Sequence, residues 1–384
     1  MSETVSLDLS VDRVRVFLDG EIVGSLTLSP AKTVAFSYES SWLSSGFSIS
    51  PLSLPLREGV FVAKRDPLHG LFGAFDDSMP DGWGRLLTDR LLRQRGIDPY
   101  SIGTLTRLSI VGSSGMGALE YEPAADIENG VAATDLDDIA RECANLLETD
   151  FSEDLDQLFA LGGSSGGARP KILTEVDGEE WIIKFPSSED SANIGEQEYQ
   201  ISVLARECGI DMPETRLFAS AQCSGYFGVR RFDRTRDDDG TEHKVHMISA
   251  GGLLETSHRI PNLDYGLLMR LTMRVCNSTE ECERLYRLMC FNVFIGNRDD
   301  HAKNFSYLYD RSRQAWRLSP GYDLTENPGI NGEHTTSVNG KGKNITIADL
   351  ASVGVKAGIS RARCIAIANE MQDRIRDTGF AVRD

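Results

Sequence analysis

The chain has 384 residues, 40% of them hydrophobic and 26% charged, which is ordinary for a globular protein and enough for roughly two or three domains with sizeable cores. Its net charge of −18 repels phosphate backbones, so nucleic-acid binding by this chain alone is not expected. No run approaches the ~18 apolar residues of a membrane span, and Met1-Ser2-Glu3-Thr4 does not begin a signal peptide, so a cytoplasmic location without membrane attachment is expected.

Residues 11–29 read as a β-hairpin: Val14, Val16 and Leu18 alternate, Asp19-Gly20 supplies the turn, and Ile22 to Leu28 returns. Val34 to Tyr38 adds a third strand, giving a β-rich N-terminal module. Pro80, Gly82 and Gly84 punctuate a loop, and Leu86 to Arg95 continues as an amphipathic helix. Ser109 to Ala118 starts apolar and becomes Gly/Ser-rich, and residues 123–134 look like a linker. Asp135 to Leu147 and Asp154 to Leu161 read as helices.

A glycine-rich segment, Leu161 to Lys171, follows. Ile172 to Val176, the turn Asp177-Gly178 and Trp181 to Phe185 predict a second hairpin, and Glu196 to Glu207 a helix. Tyr226 to Arg231 is strand-like, and from about Tyr265 the chain is mainly helical, with Ser278 to Phe294 and Ser360 to Ile375 the clearest cases. The seven cysteines are scattered with no Cys-x-x-Cys pair, so reduced thiols are expected and a structural zinc site is not. His243 and His246 are close but lie in a charged, loop-like segment.

Four features could carry chemistry. Glycine-rich backbone can wrap phosphate oxygens, although Gly/Ser loops are often plain linkers, and this one lacks the P-loop pattern. Lys184 lies in the apolar strand Trp181-Ile182-Ile183-Lys184-Phe185, where an unpaired ammonium is costly. An anion such as the α/β-phosphates would satisfy it, with Glu198 as helix partner and Glu196 second; a solvent-facing strand end is the alternative.

Asn297-Arg298-Asp299-Asp300-His301-Ala302-Lys303-Asn304 follows the mostly apolar run Leu288 to Ile295. Protein kinases use this Asp-x4-Asn spacing in their catalytic loop. Asp299 would then orient or deprotonate an acceptor hydroxyl and Asn304 would ligate magnesium, unless the charged run is a solvated turn. Asp323, in Tyr322-Asp323-Leu324, is a second candidate metal carboxylate or a plain turn residue. The order of loop, lysine, glutamate, Asp-x4-Asn and aspartate is the layout of a two-lobed kinase that transfers a phosphoryl group from ATP with Mg2+. The fold class expected is α+β, divided into 1–122 (β-rich subdomain), 123–260 (glycine loop and ATP lysine) and 261–384 (helical lobe with the catalytic loop).

The chain resembles the HipA family of bacterial serine/threonine-kinase toxins. The resemblance is carried by Met79-Pro80-Asp81-Gly82-Trp83-Gly84, Gly167-Ala168-Arg169-Pro170-Lys171, Ile183-Lys184-Phe185-Pro186, Arg231-Phe232-Asp233-Arg234, Asp299-Asp300-His301-Ala302-Lys303-Asn304-Phe305 and Tyr322-Asp323-Leu324, over roughly residues 10–370. It implies phosphorylation of a serine or threonine of a protein, the best-known family substrate being glutamyl-tRNA synthetase. It also implies a small helix-turn-helix, HipB-like antitoxin as partner, which would supply most of any DNA contact.

Family members autophosphorylate a loop serine, which ejects the loop; Ser164 matches that position and Ser165 is adjacent. A phosphate there would add about −2 charge beside the ATP phosphates. Nucleotide contacts implied by the resemblance are Ser164, Ser165, Gly166, Gly167, Ala168, Lys184, Asp233, His301 and the backbone around Arg230 and Phe232. Position 230 is commonly acidic in the family and is arginine here. Asp300 stands where a smaller residue is often found, which would alter acceptor preference. The remaining readings are a kinase-fold phosphotransferase acting on a small-molecule hydroxyl, and a non-catalytic binding module; the segment before residue 150 argues against the first, and the intact Lys184, Asp299, Asn304 and Asp323 against the second.

Overall fold

The computed structural model describes residues 11–124, 135–149, 152, 154–237 and 239–383. The linker expected at 123–134 falls almost wholly outside them.

The chain packs as two units, one of residues up to Glu196 plus Thr215–Met247, the other Gln197–Glu214 plus Ile248–Asp384. In the first unit, the strands Arg13–Leu18 and Glu21–Leu28 form the expected hairpin. Asp19 and Gly20 both have positive φ (50° and 75°), the two-residue geometry that matches the twist of paired strands. Val14, Val16 and Leu18 are buried while Arg13 and Arg15 face solvent, as the alternation requires. The sheet has five strands in the order Phe61–Val62, Val34–Tyr38, Glu21–Leu28, Arg13–Leu18, Glu120–Glu122.

A second, four-stranded antiparallel sheet runs Lys171–Val176, Glu179–Lys184, Tyr226–Arg230, Thr215–Phe218. Its hairpin turn, Asp177-Gly178, again has positive φ at both residues. One core joins this sheet to the preceding helices. Trp83, Leu87 and Leu91 of helix Gly82–Gln94 and Leu158 and Phe159 of helix Leu155–Gly162 pack with Ile172, Trp181, Ile183 and Phe185. Packing therefore groups the β-rich module with the glycine-loop region, whereas the sequence signatures divide them near residue 122.

Two local expectations change. The helix expected from Leu86 begins at Gly82, so the Asp-Gly-Trp-Gly string is its first turn. Helix Thr104–Val111 precedes the Gly/Ser stretch and was not expected; buried Thr106 and Ser109 interrupt its apolar pattern.

The second unit is mainly helical: Tyr265–Cys276, Thr279–Ile295, Ile347–Lys356 and Arg361–Asp377. The long Thr279–Ile295 helix is capped by Ser278, whose hydroxyl accepts the Glu281 N–H. It ends at Gly296 in the left-handed region (φ 71°), which turns the chain into the Asp299 segment. A hairpin, Ser306–Asp310 with Ala315–Leu318, follows that segment. No described helix is long and apolar enough to cross a membrane.

Candidate active-site elements

The glycine-rich loop leaves helix Leu155–Gly162 and re-enters the sheet at Lys171. The Ser164 hydroxyl is half-buried and donates to the Ser114 carbonyl at 2.8 Å. Ser165 is 2% exposed, and its hydroxyl donates to the Gly162 carbonyl at 2.6 Å. The two loop serines therefore differ: modification of Ser165 requires the loop to leave this conformation, whereas Ser164 is partly accessible. Gly166 is half-buried, and Gly167 and Ala168 are exposed.

Lys184 ends an inner strand of the same sheet, half-buried, with its ammonium 5.6 Å from the Phe227 ring centre. Arg230 is exposed beside Glu179, at 3.5 Å, and Phe232 is half-buried. Asp233 is corrected. It is completely buried, and its carboxylate accepts from Gly117 N (2.6 Å), Arg231 Nε (3.0 Å) and Nη2 (2.8 Å) and Arg234 Nη1 (2.9 Å). Burial alone would raise its pKa, but the two guanidiniums hold it at about 2. Asp233 is thus the charge centre of the scaffold under the strand end, with no surface for a nucleotide.

In the second unit the adjacent carboxylates of Asp299 and Asp300 have opposite environments. Asp299 is exposed, and its backbone carbonyl accepts from Asn304 Nδ2 at 2.6 Å. Asp300 is 1% exposed; its carboxylate accepts from Tyr265 Oη (2.9 Å), His334 Nδ1 (3.0 Å) and Thr336 N (3.0 Å). The expectation that Asp300 sets acceptor preference is therefore corrected: it faces the core and anchors the segment. Burial, with the Asp300 carboxylate beside it, keeps the Tyr265 phenol protonated well above the ordinary tyrosine range, so it remains a donor.

The anchor extends inward. Asn292 Nδ2 donates to Tyr265 Oη at 3.0 Å, and Asn297 Nδ2 donates to Asn292 Oδ1 at 3.0 Å. These residues were missed from sequence, although polar Asn292 inside an apolar helical run was a visible signal. His301 is half-buried, accepts the Lys303 N–H at Nδ1 (3.2 Å) and lies 5.4 Å from the His258 ring.

Asp323 is half-buried in a left-handed conformation (φ 52°), which aspartate tolerates better than most residues. Its neighbour Tyr322 donates its hydroxyl to the Lys303 carbonyl at 2.5 Å, tying this stretch to the Asp299 segment. Asn304 and Asp323 offer hard oxygen donors, and no group of three or more His, Cys, Asp or Glu forms a metal cage among the described residues. Hard oxygen donors of this kind are the ones magnesium takes, alongside its waters and phosphate oxygens. Glu198 is 4% exposed and Glu196 half-buried on helix Ile194–Glu207.

The HipA-like C-terminal domain model matches residues 163–378, and the HipA N-terminal domain model matches 14–122. Two Sinorhizobium fredii proteins that carry kinase names, Y4dM and Y4mE, are each 28% identical, over 94% and 90% of this chain and 90% and 84% of their own lengths. The Shewanella oneidensis MR-1 HipA structure, solved with HipB and its operator DNA, superposes with a TM-score of 0.73 at 18% identity, covering 95% of this chain and 89% of that one. The expected two-lobed, kinase-like α+β fold is the fold of that structure. With one family model covering more than half its length, the chain belongs to the HipA family.

Proposed function

We propose that this protein is an ATP- and Mg2+-dependent serine/threonine-protein kinase of the toxin type. The observation that carries the reading is the contrast at Asp299-Asp300: one residue exposed, with its backbone carbonyl bonded by Asn304, the next buried as an anchor. A substrate hydroxyl needs an accessible carboxylate on a firmly seated backbone, and this contrast supports Asp299 in that role. Asp299 accepts the hydroxyl proton, Asn304 and Asp323 hold the metal, and Lys184 neutralises the nucleotide's phosphates with Glu198 as its partner. Bound magnesium would screen the phosphate charge during transfer. The loop glycines Gly166 and Gly167, with Ala168, cover the phosphates, and Ser164 or Ser165 is the self-modification site. His301 and the backbone near Arg230 and Phe232 complete the nucleotide contacts.

The HipB-bound HipA relative supports a small HipB-like antitoxin as partner. The net charge of −18 supports leaving DNA contact mainly to that partner. The physiological substrate is a host protein, with an aminoacyl-tRNA synthetase the class suggested by family membership, and the site of action is the cytoplasm.

The test is phosphate transfer from γ-labelled ATP in a host lysate, with the labelled protein identified by mass spectrometry. Asp299→Asn is expected to abolish labelling, including that of Ser164 or Ser165, while leaving the circular dichroism spectrum unchanged. Labelling that persists in the variant removes Asp299 from the mechanism.

A further inference from the structure

The Asp81-Gly82-Trp83-Gly84 string has no part in the reading above, yet each of its residues meets the glycine-rich loop. Trp83 donates its backbone N–H to the Gly167 carbonyl at 2.8 Å and its indole N–H to the Lys171 carbonyl at 3.1 Å. The Asp81 carboxylate accepts the Gly167 N–H. A Cβ on Gly84 would lie 2.2 Å from the Ser165 carbonyl oxygen, and one on Gly82 would lie 2.2 Å from that of Gly167. Both neighbours are backbone, so neither can yield without moving the loop. Gly82 also has positive φ (44°), which a side chain would strain.

The loop is held from other directions too. Lys171 Nζ donates to the Gly166 carbonyl at 2.5 Å, and Ser164 is tied to Ser114 at 2.8 Å. The carbonyls of residues 165, 166 and 167 are therefore all turned onto the protein. Orientation matters because a backbone anion cradle must keep carbonyl oxygens, which repel phosphate, turned away; the Ser165 and Gly167 N–H groups are themselves taken by the Gly162 carbonyl and the Asp81 carboxylate, which leaves the amides of Gly166 and Ala168 for a phosphate.

We propose that Asp81, docked with Gly82 and Gly84, is a positioning residue that sets the glycine-rich loop for the nucleotide's phosphates. The segment before the loop is then a working part of the nucleotide site. This inference rests on the kinase reading, and its test separates the two.

Hydrogen exchange of residues 163–168 and steady-state kinetics with Mg-ATP are measured for the full chain, Asp81→Ala, Asp81→Asn and Gly84→Ala. Asp81→Ala is expected to speed loop exchange at least about fivefold. It should also raise KM for ATP about tenfold, with a much smaller change in kcat. Asp81→Asn retains an acceptor and is expected to recover most of the protection. Gly84→Ala, which displaces the Ser165 carbonyl, is expected to reproduce the Asp81→Ala pattern and serves if that variant folds poorly. Unchanged exchange overturns the clamp, and faster exchange with unchanged KM overturns its role in nucleotide binding. A wild-type protein that does not bind ATP overturns the kinase reading instead, while the exchange result still judges the clamp.

Discussion

Replacing Asp300 by alanine tests the division of labour between the two adjacent carboxylates. The residue is 1% exposed, and its carboxylate receives donors from Tyr265, His334 and Thr336 at 2.9, 3.0 and 3.0 Å. A carboxylate only accepts, so His334 Nδ1 carries the proton. Removing the carboxylate strands three donors, and a buried unsatisfied group costs about 1–3 kcal/mol. Water entering the space left behind recovers part of this, leaving a destabilisation of about 3–5 kcal/mol. Asp300→Asn preserves size and the acceptor for Thr336 while turning an amide N–H2 toward the other two, so about half that loss is expected. The chain packs as two units and need not unfold in one step, so a local readout is preferable. Exchange of the Thr336 amide and of residues 296–305 reports the opening free energy directly. If Asp300→Ala exchanges within about 1 kcal/mol of wild type, Asp300 is not the anchor, and its burial was wrongly given energetic weight.

His246 and Asp233 give pH-dependent expectations in separate windows. Burial lowers His246 from 6.5 to about 4, while its Nε2 donates to the Ile49 carbonyl at 2.8 Å. The unfolded chain takes up a proton below the ordinary value and the folded chain does not, so stability is full above pH 6.5 and falls toward pH 4. The loss is on the order of 3 kcal/mol, measured by urea unfolding across that range; His246→Gln should flatten the slope, and an unchanged slope removes His246 as its source. Asp233, held at about 2 against an ordinary 3.8, contributes stability present above the higher value and lost as pH falls through the lower one. Asp233→Ala leaves two guanidiniums facing each other and is expected to cost about 3–5 kcal/mol in thermal or chemical unfolding at neutral pH. A variant that melts with the wild type would show that the cluster's charges are balanced by other groups.

Much of the architecture was legible because it depends on local rules. Alternating Val14, Val16 and Leu18 around Asp19-Gly20 specify a hairpin whose turn needs positive φ, and the same logic recurs at Asp177-Gly178. Helix Thr104–Val111 was missed because its buried polar residues weaken the periodic signal. The start of the Gly82 helix was placed late because Gly82 and Gly84 read as loop punctuation. They are glycines for another reason, since the backbone of a distant segment presses on them.

The sequence by itself determined the hairpins, the major helices, the acidic character and the order of chemically capable residues, because period, turn chemistry and spacing act between near neighbours. It could not decide which of two adjacent aspartates faces solvent, since Asp299 and Asp300 have the same side chain and their difference lies in Tyr265, His334 and Thr336. Nor could it show that Asp233 is spent on Arg231, Arg234 and Gly117 rather than on a ligand. Burial and hydrogen-bond satisfaction depend on partners tens of residues away, and only the folded chain brings those partners within 3 Å.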